Sequence, residues 1–332
     1  MQTKTVRRIL IHGLAFVLVA FCLFKYPEEI AHWKLQLYAA MAGTDAASPA
    51  PGATEAAATD SLETEPTASV AQRLAGFSEY PPMTHAGTEW YLSTRLIYHA
   101  AGGIDGLSYT NSREAMEQCI RSGNTVIEVD FHFTSDGHLV CVHEWSDISG
   151  SNEAIPLDAF QASKIYGKYT PMTGEDVVRY MAQNPELYIV IDTKADAVGV
   201  VRALAALCDG DQSILDRFII QLYRDGEKQA IREIYPFKDE NFLFTLYIFG
   251  QYRYEDILRT CYEENIPVIA VGYTVWDQET KEAFRDKGIV IFEHTINRLD
   301  QAKDALDKGA HGIYTDFLTE ADIQSLMIHE KE

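Results

Sequence analysis

Two carboxylates alternate with apolar residues in Val126-Ile-Glu-Val-Asp-Phe-His-Phe133. If this run is a strand, Val126, Glu128, Asp130 and His132 share one face, and Ile127, Val129, Phe131 and Phe133 share the other. Two acids side by side on a buried face are costly unless a cation joins them, and a divalent metal ion is the economical answer. A third acid recurs in Tyr188-Ile-Val-Ile-Asp-Thr-Lys194, where Asp192 and Lys194 share a face at the end of another apolar run. His99 and His143 each close a short apolar segment, and Asp316 follows Ile313-Tyr-Thr315. Imidazole titrates near neutral pH and suits proton transfer. Oxygen-only donors suit a hard cation, Ca²⁺ or Mg²⁺.

Something must hold these strand ends together. Eight β-rich apolar runs lie beyond Trp90: 95–99, 125–133, 187–193, 217–222, 242–247, 267–271, 289–293 and 311–315. Helical stretches separate them at 112–121, 174–184, 197–208, 225–234, 254–265, 278–287 and 299–308. A further short run, Leu139 to His143, reads as a hairpin excursion after the second strand. This alternation predicts a (β/α)₈ barrel, an α/β fold, over residues 91–332. The absence of a glycine-rich phosphate loop argues against an open doubly wound sheet. Barrel chemistry gathers at the C-terminal rim, where these polar strand ends fall.

The beginning of the chain has another character. Lys4, Arg7 and Arg8 precede sixteen uncharged residues, 9–24. That run is short for a spanning helix of about 20 residues, yet no small-residue cleavage site follows it directly. It is read as an uncleaved signal anchor in preference to a cleaved signal peptide. Residues 1–42 then comprise cytoplasmic tip, transmembrane anchor and juxtamembrane helix, and the basic cluster places the rest of the chain outside the cytoplasm. Residues 43–90 read as a flexible, disordered linker, because a stretch rich in Ala, Thr, Pro, Ser and Glu cannot offset its chain entropy by burial.

Of 332 residues, 49 are acidic and 28 basic, a net charge of −21. Such a surface disfavours nucleic acid and anionic lipid as broad partners. Five scattered cysteines without CxxC spacing make a zinc site a poor fit, and buried free thiols are preferred to a disulfide.

The quoted segments resemble the glycerophosphodiester phosphodiesterases, in the superfamily of phosphoinositide-phospholipase-C-like barrels. The likeness rests on His99-Ala-Ala-Gly-Gly103, Tyr109-Thr-Asn-Ser-Arg-Glu-Ala115, Glu128-x-Asp130, Thr134-x-Asp-Gly137, His143, Asp192-x-Lys194 and Gly312-x-x-Thr-Asp316. It spans roughly the whole barrel. It implies Glu128, Asp130 and Asp192 as ligands of one divalent cation, and His99 and His143 as the acid–base pair. It also implies metal-dependent hydrolysis to glycerol phosphate and an alcohol, through a cyclic phosphate. Two positions depart from the family pattern. Ala100 stands where an arginine usually binds phosphate, and Asp192 where the acid is usually glutamate. The first loss shifts phosphate binding to Lys194 or to a residue such as Arg224.

Other candidates for the pocket are His132, Gln221, Trp145 and Asp316. Tyr109, Tyr273 and Trp276 could line it or merely cap the barrel, and His294 and His311 read as ordinary strand-end residues. The expected partner is a small or lipid-derived phosphodiester, with the membrane reached only through the anchor. Two alternatives carry different expectations: a degenerate barrel that binds a phosphorylated ligand without turnover, and a lyase that stops at the cyclic product.

Overall fold

The computed structural model describes residues 75–328, apart from 194–195, 225 and 247–252. Eight parallel strands close into a barrel: β1 (Leu96–Tyr98), β2 (Val126–Phe133), β5 (Tyr188–Asp192), β6 (Phe218–Leu222), β7 (Phe242–Leu246), β8 (Val268–Gly272), β9 (Val290–His294) and β10 (Gly312–Thr315). The β1–β10 pairing at one end of the order and the β1–β2 pairing at the other complete the circle. β3 (Leu139–Cys141) runs antiparallel to β2 and pairs with the two-residue β4 (Met172–Thr173), which the apolar pattern is too short to reveal.

Side-chain alternation divides the core as the second-strand pattern predicts. Val126, Val190, Ile219, Leu243, Val268 and Phe292 pack together inside the barrel. Ile127, Val129, Phe131, Ile189 and Ile191 belong to the outer layer beneath the helices. Most helices match their expected spans, and several starts are fixed by side-chain caps. Ser112 accepts from Ala115 N–H, Thr173 and Asp176 form a reciprocal box, and Asp277 accepts from Thr280 N–H. Five further α-helices among the described residues were not expected: Trp90–Ser93, Ser146–Ser149, Leu157–Ala162, Gln212–Leu215 and Glu320–Ile328.

Residues 75–90, assigned above to the linker, pack on the barrel. Phe77 is buried edge-to-face against Phe284, Met83 N–H donates to Lys287 O, and His85 bonds Gly288 O. Trp90 and Tyr91 then enter the inner cluster beneath β1, with Trp90 stacked on Phe292 and its indole N–H donating to Glu240 O. Composition misled here because a few well-placed aromatics suffice to fix a segment that is otherwise polar. The anchor expected over residues 1–42 lies outside the described residues, as do 43–74 of the expected linker. Among the described residues no helix is long and apolar enough to cross a membrane. Cys119, Cys141, Cys208 and Cys261 are buried free thiols.

Candidate active site

Inward alternation continues to the C-terminal end of the strands, where the apolar layers give way to polar side chains. Asp130 and Asp192 are register partners on β2 and β5, and Glu128 sits one inward position below Asp130. One oxygen from each of the three acids lies within 4.8 Å of the others, and all three residues are buried. Oxygens bound to one ion at about 2.3–2.6 Å can stand no more than about 5 Å apart, so this set fits a single hard divalent cation. Three carboxylates buried this close together favour a bound positive charge.

Each acid is gripped by a different donor. Ala100 N–H donates to Glu128 Oε2 at 2.6 Å. Ala100 has φ 50° and ψ 46°, a left-handed turn at the end of β1 that brings the amide to the carboxylate. The position that lacks the expected arginine thus contributes through its backbone. Asn111 holds Asp130 from two sides: its Nδ2 donates to Oδ2 at 2.8 Å, and its Oδ1 accepts from Asp130 N–H at 3.1 Å. Tyr223 O–H donates to Asp192 Oδ1 at 2.6 Å. Gln221 Nε2 donates to the Tyr223 oxygen at 2.7 Å, and Tyr314 O–H donates to Gln221 Oε1 at 3.1 Å. The fixed sense of the amide leaves the Tyr223 hydrogen for Asp192. Burial, then the charge and hydrogen bond of Asp192, push the Tyr223 phenol well above its usual range, so it remains a donor.

The histidines stand beside this cluster. His99 Nδ1 lies 3.0 Å from Asp316 Oδ1. Asn297 donates to Asp316 Oδ2 at 2.6 Å and accepts from Asp316 N–H at 2.7 Å, which fixes the carboxylate. Burial lowers the His99 pKa, but the hydrogen bond and charge of Asp316, with the charges of Asp130 and Asp192, outweigh it and the net shift is upward. With Nδ1–H committed to Asp316, Nε2 is the nitrogen left for chemistry. Tyr109 sits between the two histidines, its ring 4.6 Å from that of His99 and 4.4 Å from that of His143.

The other candidates divide. His132, next to last in β2, lies against Trp145, whose indole is buried in a small cluster with Val140, Val142 and Phe160. Gln221 serves the tyrosine chain just described. Trp276 is buried against Phe284, and Tyr273 O–H donates to Asp304, so both belong to the shell outside the strands. Arg224 is exposed and pairs with Glu227 at 3.9 Å. Lys194 lies outside the described residues. His294, read as an ordinary strand end, lies on the inward face two residues past Phe292, with its ring 6.0 Å from that of Tyr314. His311 precedes β10 and bonds Thr94 O, a structural place remote from the rim. Sequence reasoning assigned no role to Asn111, Tyr223 or Asn297. Asn111 lay in a quoted motif, but its partner, nineteen residues on, is visible only in the fold.

A closed eight-stranded parallel barrel carrying a buried acid triad and two histidines on one rim defines the class. Solved structures with that fold include a glycerophosphodiester phosphodiesterase from Parabacteroides distasonis, with 18% identity and a TM-score of 0.56 over 71% of this chain and 98% of that one. An Oleispira antarctica phosphodiesterase, solved with the product sn-glycerol-3-phosphate, shows 13% identity and a TM-score of 0.56 over 76% and 99% of the two chains. A provisionally assigned glycerophosphoryl diester phosphodiesterase from Agrobacterium tumefaciens shows 17% identity and a TM-score of 0.58 over 72% and 99%. No protein-family model and no curated protein matches the chain.

Proposed function

We propose that this chain hydrolyses glycerophosphodiesters, such as phospholipid head groups or polyglycerol-phosphate polymers, to glycerol phosphate and an alcohol. The observation that carries the reading is the convergence of Glu128, Asp130 and Asp192 on one cation-sized space beside His99. Fold likeness to the named phosphodiesterases, one of them holding sn-glycerol-3-phosphate, supports the same chemistry. A divalent cation, Ca²⁺ or Mg²⁺, held by the three acids would polarise the phosphodiester and offset charge gathering on its oxygens.

The protein's own groups move the protons. In the first step one imidazole takes the proton of the glycerol hydroxyl next to the phosphate as that oxygen bonds to phosphorus. The other imidazole gives a proton to the departing alkoxide, leaving a cyclic phosphodiester. In the second step the roles reverse, and water opens the ring. Asp316, held by Asn297, keeps His99 turned so that Nε2 does this work, and Tyr109 holds the two rings apart. Lys194 would neutralise phosphate charge in place of the arginine absent at position 100. Gln221 acts behind Asp192 rather than on substrate, while His132 and Trp145 border the rim on the hairpin side. The catalytic domain would work outside the cytoplasm, held to the membrane by a single-pass N-terminal anchor.

The test is release of glycerol 3-phosphate from glycerophosphodiesters by the full chain, with Ca²⁺ or Mg²⁺ and with chelator. Metal-dependent product that disappears in His99→Ala supports the reading. Tight metal binding with no product from any head group sinks it in favour of a binding role, and a cyclic phosphate that persists indicates a lyase.

A further inference from the structure

Five large apolar side chains are exposed among the described residues: Leu92, Leu107, Tyr166, Leu299 and Phe317. Four of them belong to the mouth end of the barrel. Leu107 lies in the loop after β1, Leu299 opens the helix after β9, and Phe317 follows β10 directly. Tyr166 lies in the excursion that leaves the end of β2, between β3 and β4. Only Leu92 sits at the other end, ahead of β1. The mouth residues are held in place. Phe317 lies over Gly103, where no Cβ would fit, and Gly103 N–H donates to Asp316 O. Asp105 ties the Leu107 loop to the Tyr166 loop through Lys168 and the Tyr169 hydroxyl. The neighbouring charges are paired internally, Lys168 with Asp105 and Arg298 with Asp300.

The path of the leading segment points the same way. Gly76 packs beside Glu255, in the first turn of the helix Tyr254–Glu263 and so at the mouth end. Tyr80 then meets Tyr262 at the far end of that helix, and Met83 reaches Lys287 at the floor. The chain therefore joins the barrel at the mouth and runs down its side. The first described residues lie at the end that carries the site and the exposed apolar residues.

We propose that the mouth is a membrane-docking face, with Leu107, Tyr166, Leu299 and Phe317 resting in the interface of a zwitterionic bilayer. This rests on the proposed membrane anchorage. Aromatic and aliphatic side chains on rigid loops suit that interface, and a net charge of −21 selects neutral over anionic lipid. Docking would present to the acid triad those membrane lysophospholipids whose glycerol hydroxyl next to the phosphate is free.

The test uses the full chain with Cys22→Ser, reconstituted in phosphatidylcholine vesicles; the other four cysteines are buried. An environment-sensitive fluorophore is placed on Phe317→Cys, on Leu107→Cys or, as control, on Leu92→Cys. The expected result is a blue shift, and loss of emission to a lipid-borne quencher, at 317 and 107 but not at 92. If the chain floats with the vesicles and all three labels remain aqueous, anchorage stands and docking is overturned. If the chain does not float with them, both fall. A blue shift without vesicles that grows with protein concentration would assign the face to a second copy and overturn the lipid proposal. No arm measures turnover, so the phosphodiesterase reading is judged separately.

Discussion

Asp130 and Asp192 face each other across the β2–β5 ladder in strict parallel register, so two carboxylates project side by side into the barrel. Charges of one sign about 5 Å apart repel by roughly 3 kcal/mol at an effective dielectric of 20. That repulsion is lost when one of the pair is made neutral. Asp130→Asn should therefore raise the thermal midpoint of the metal-free protein while removing the gain that Ca²⁺ or Mg²⁺ gives the parent. Calorimetry with and without the ion reads both effects. A variant stabilised by the ion as strongly as the parent would remove Asp130 from the site.

Tyr223 acts on the cation only through Asp192. Loss of such an outer contact typically costs about 10–100-fold in metal affinity. Tyr223→Phe should fall in that range by titration calorimetry. Gln221→Leu should weaken binding too, because it frees the phenol hydrogen to turn away. The double variant should bind no worse than Tyr223→Phe alone; additive losses would break the proposed chain.

Replacement of either histidine removes a proton carrier. His143→Ala and His99→Ala should each lower kcat by about 10²–10⁴-fold with metal affinity nearly unchanged. Steady-state rates alongside metal titration separate this from a ligand role. Near-normal turnover in either variant excludes that residue from acid–base work.

The Asp316 carboxylate raises the pKa of His99 against the opposing effect of burial. Asp316→Asn keeps the shape but removes the charge, so His99 should lose its proton at lower pH. The limb of the kcat/KM profile governed by His99 should move towards acid, while that of His143 stays. Unmoved limbs would show that Asp316 does not tune His99.

A stability prediction comes from the opposite end of the barrel. Burial, aided by nearby Arg95, depresses the His311 pKa to about 4. In the unfolded chain this histidine binds a proton near its ordinary value of about 6.5. The unfolded state thus holds more protons between those values, and its neutral burial contributes stability that is lost as pH falls from 6.5 towards 4. The thermal midpoint should decline over that window, and less steeply in His311→Gln. Parallel curves would acquit His311.

The barrel was legible because parallel strands are buried on both faces and read as short apolar runs between amphipathic helices. The acid pair on β2 was legible because strand alternation has a period of two, which puts Glu128 and Asp130 inward together whatever the tertiary detail. Donors that cross between elements were not. Asn111 reaches Asp130 from a loop residue with φ 43°, and Asn297 reaches Asp316 across nineteen positions. Neither partnership leaves a periodic trace. His294 ends its strand as read, and counting on from Phe292 puts it on the lumen side. Residues 75–90 defied composition for the reason given by Phe77 and Trp90: their pockets are supplied by segments some two hundred residues away.

Trp90 and Tyr91 close the lower end of the barrel. A vessel stoppered at its base has one doorway, so reactant and both products pass through the same opening in turn. A long glycerol-phosphate chain cannot be drawn through such a vessel. Whatever reaches the three acids must come from the mouth side, and the products must leave the way the reactant came.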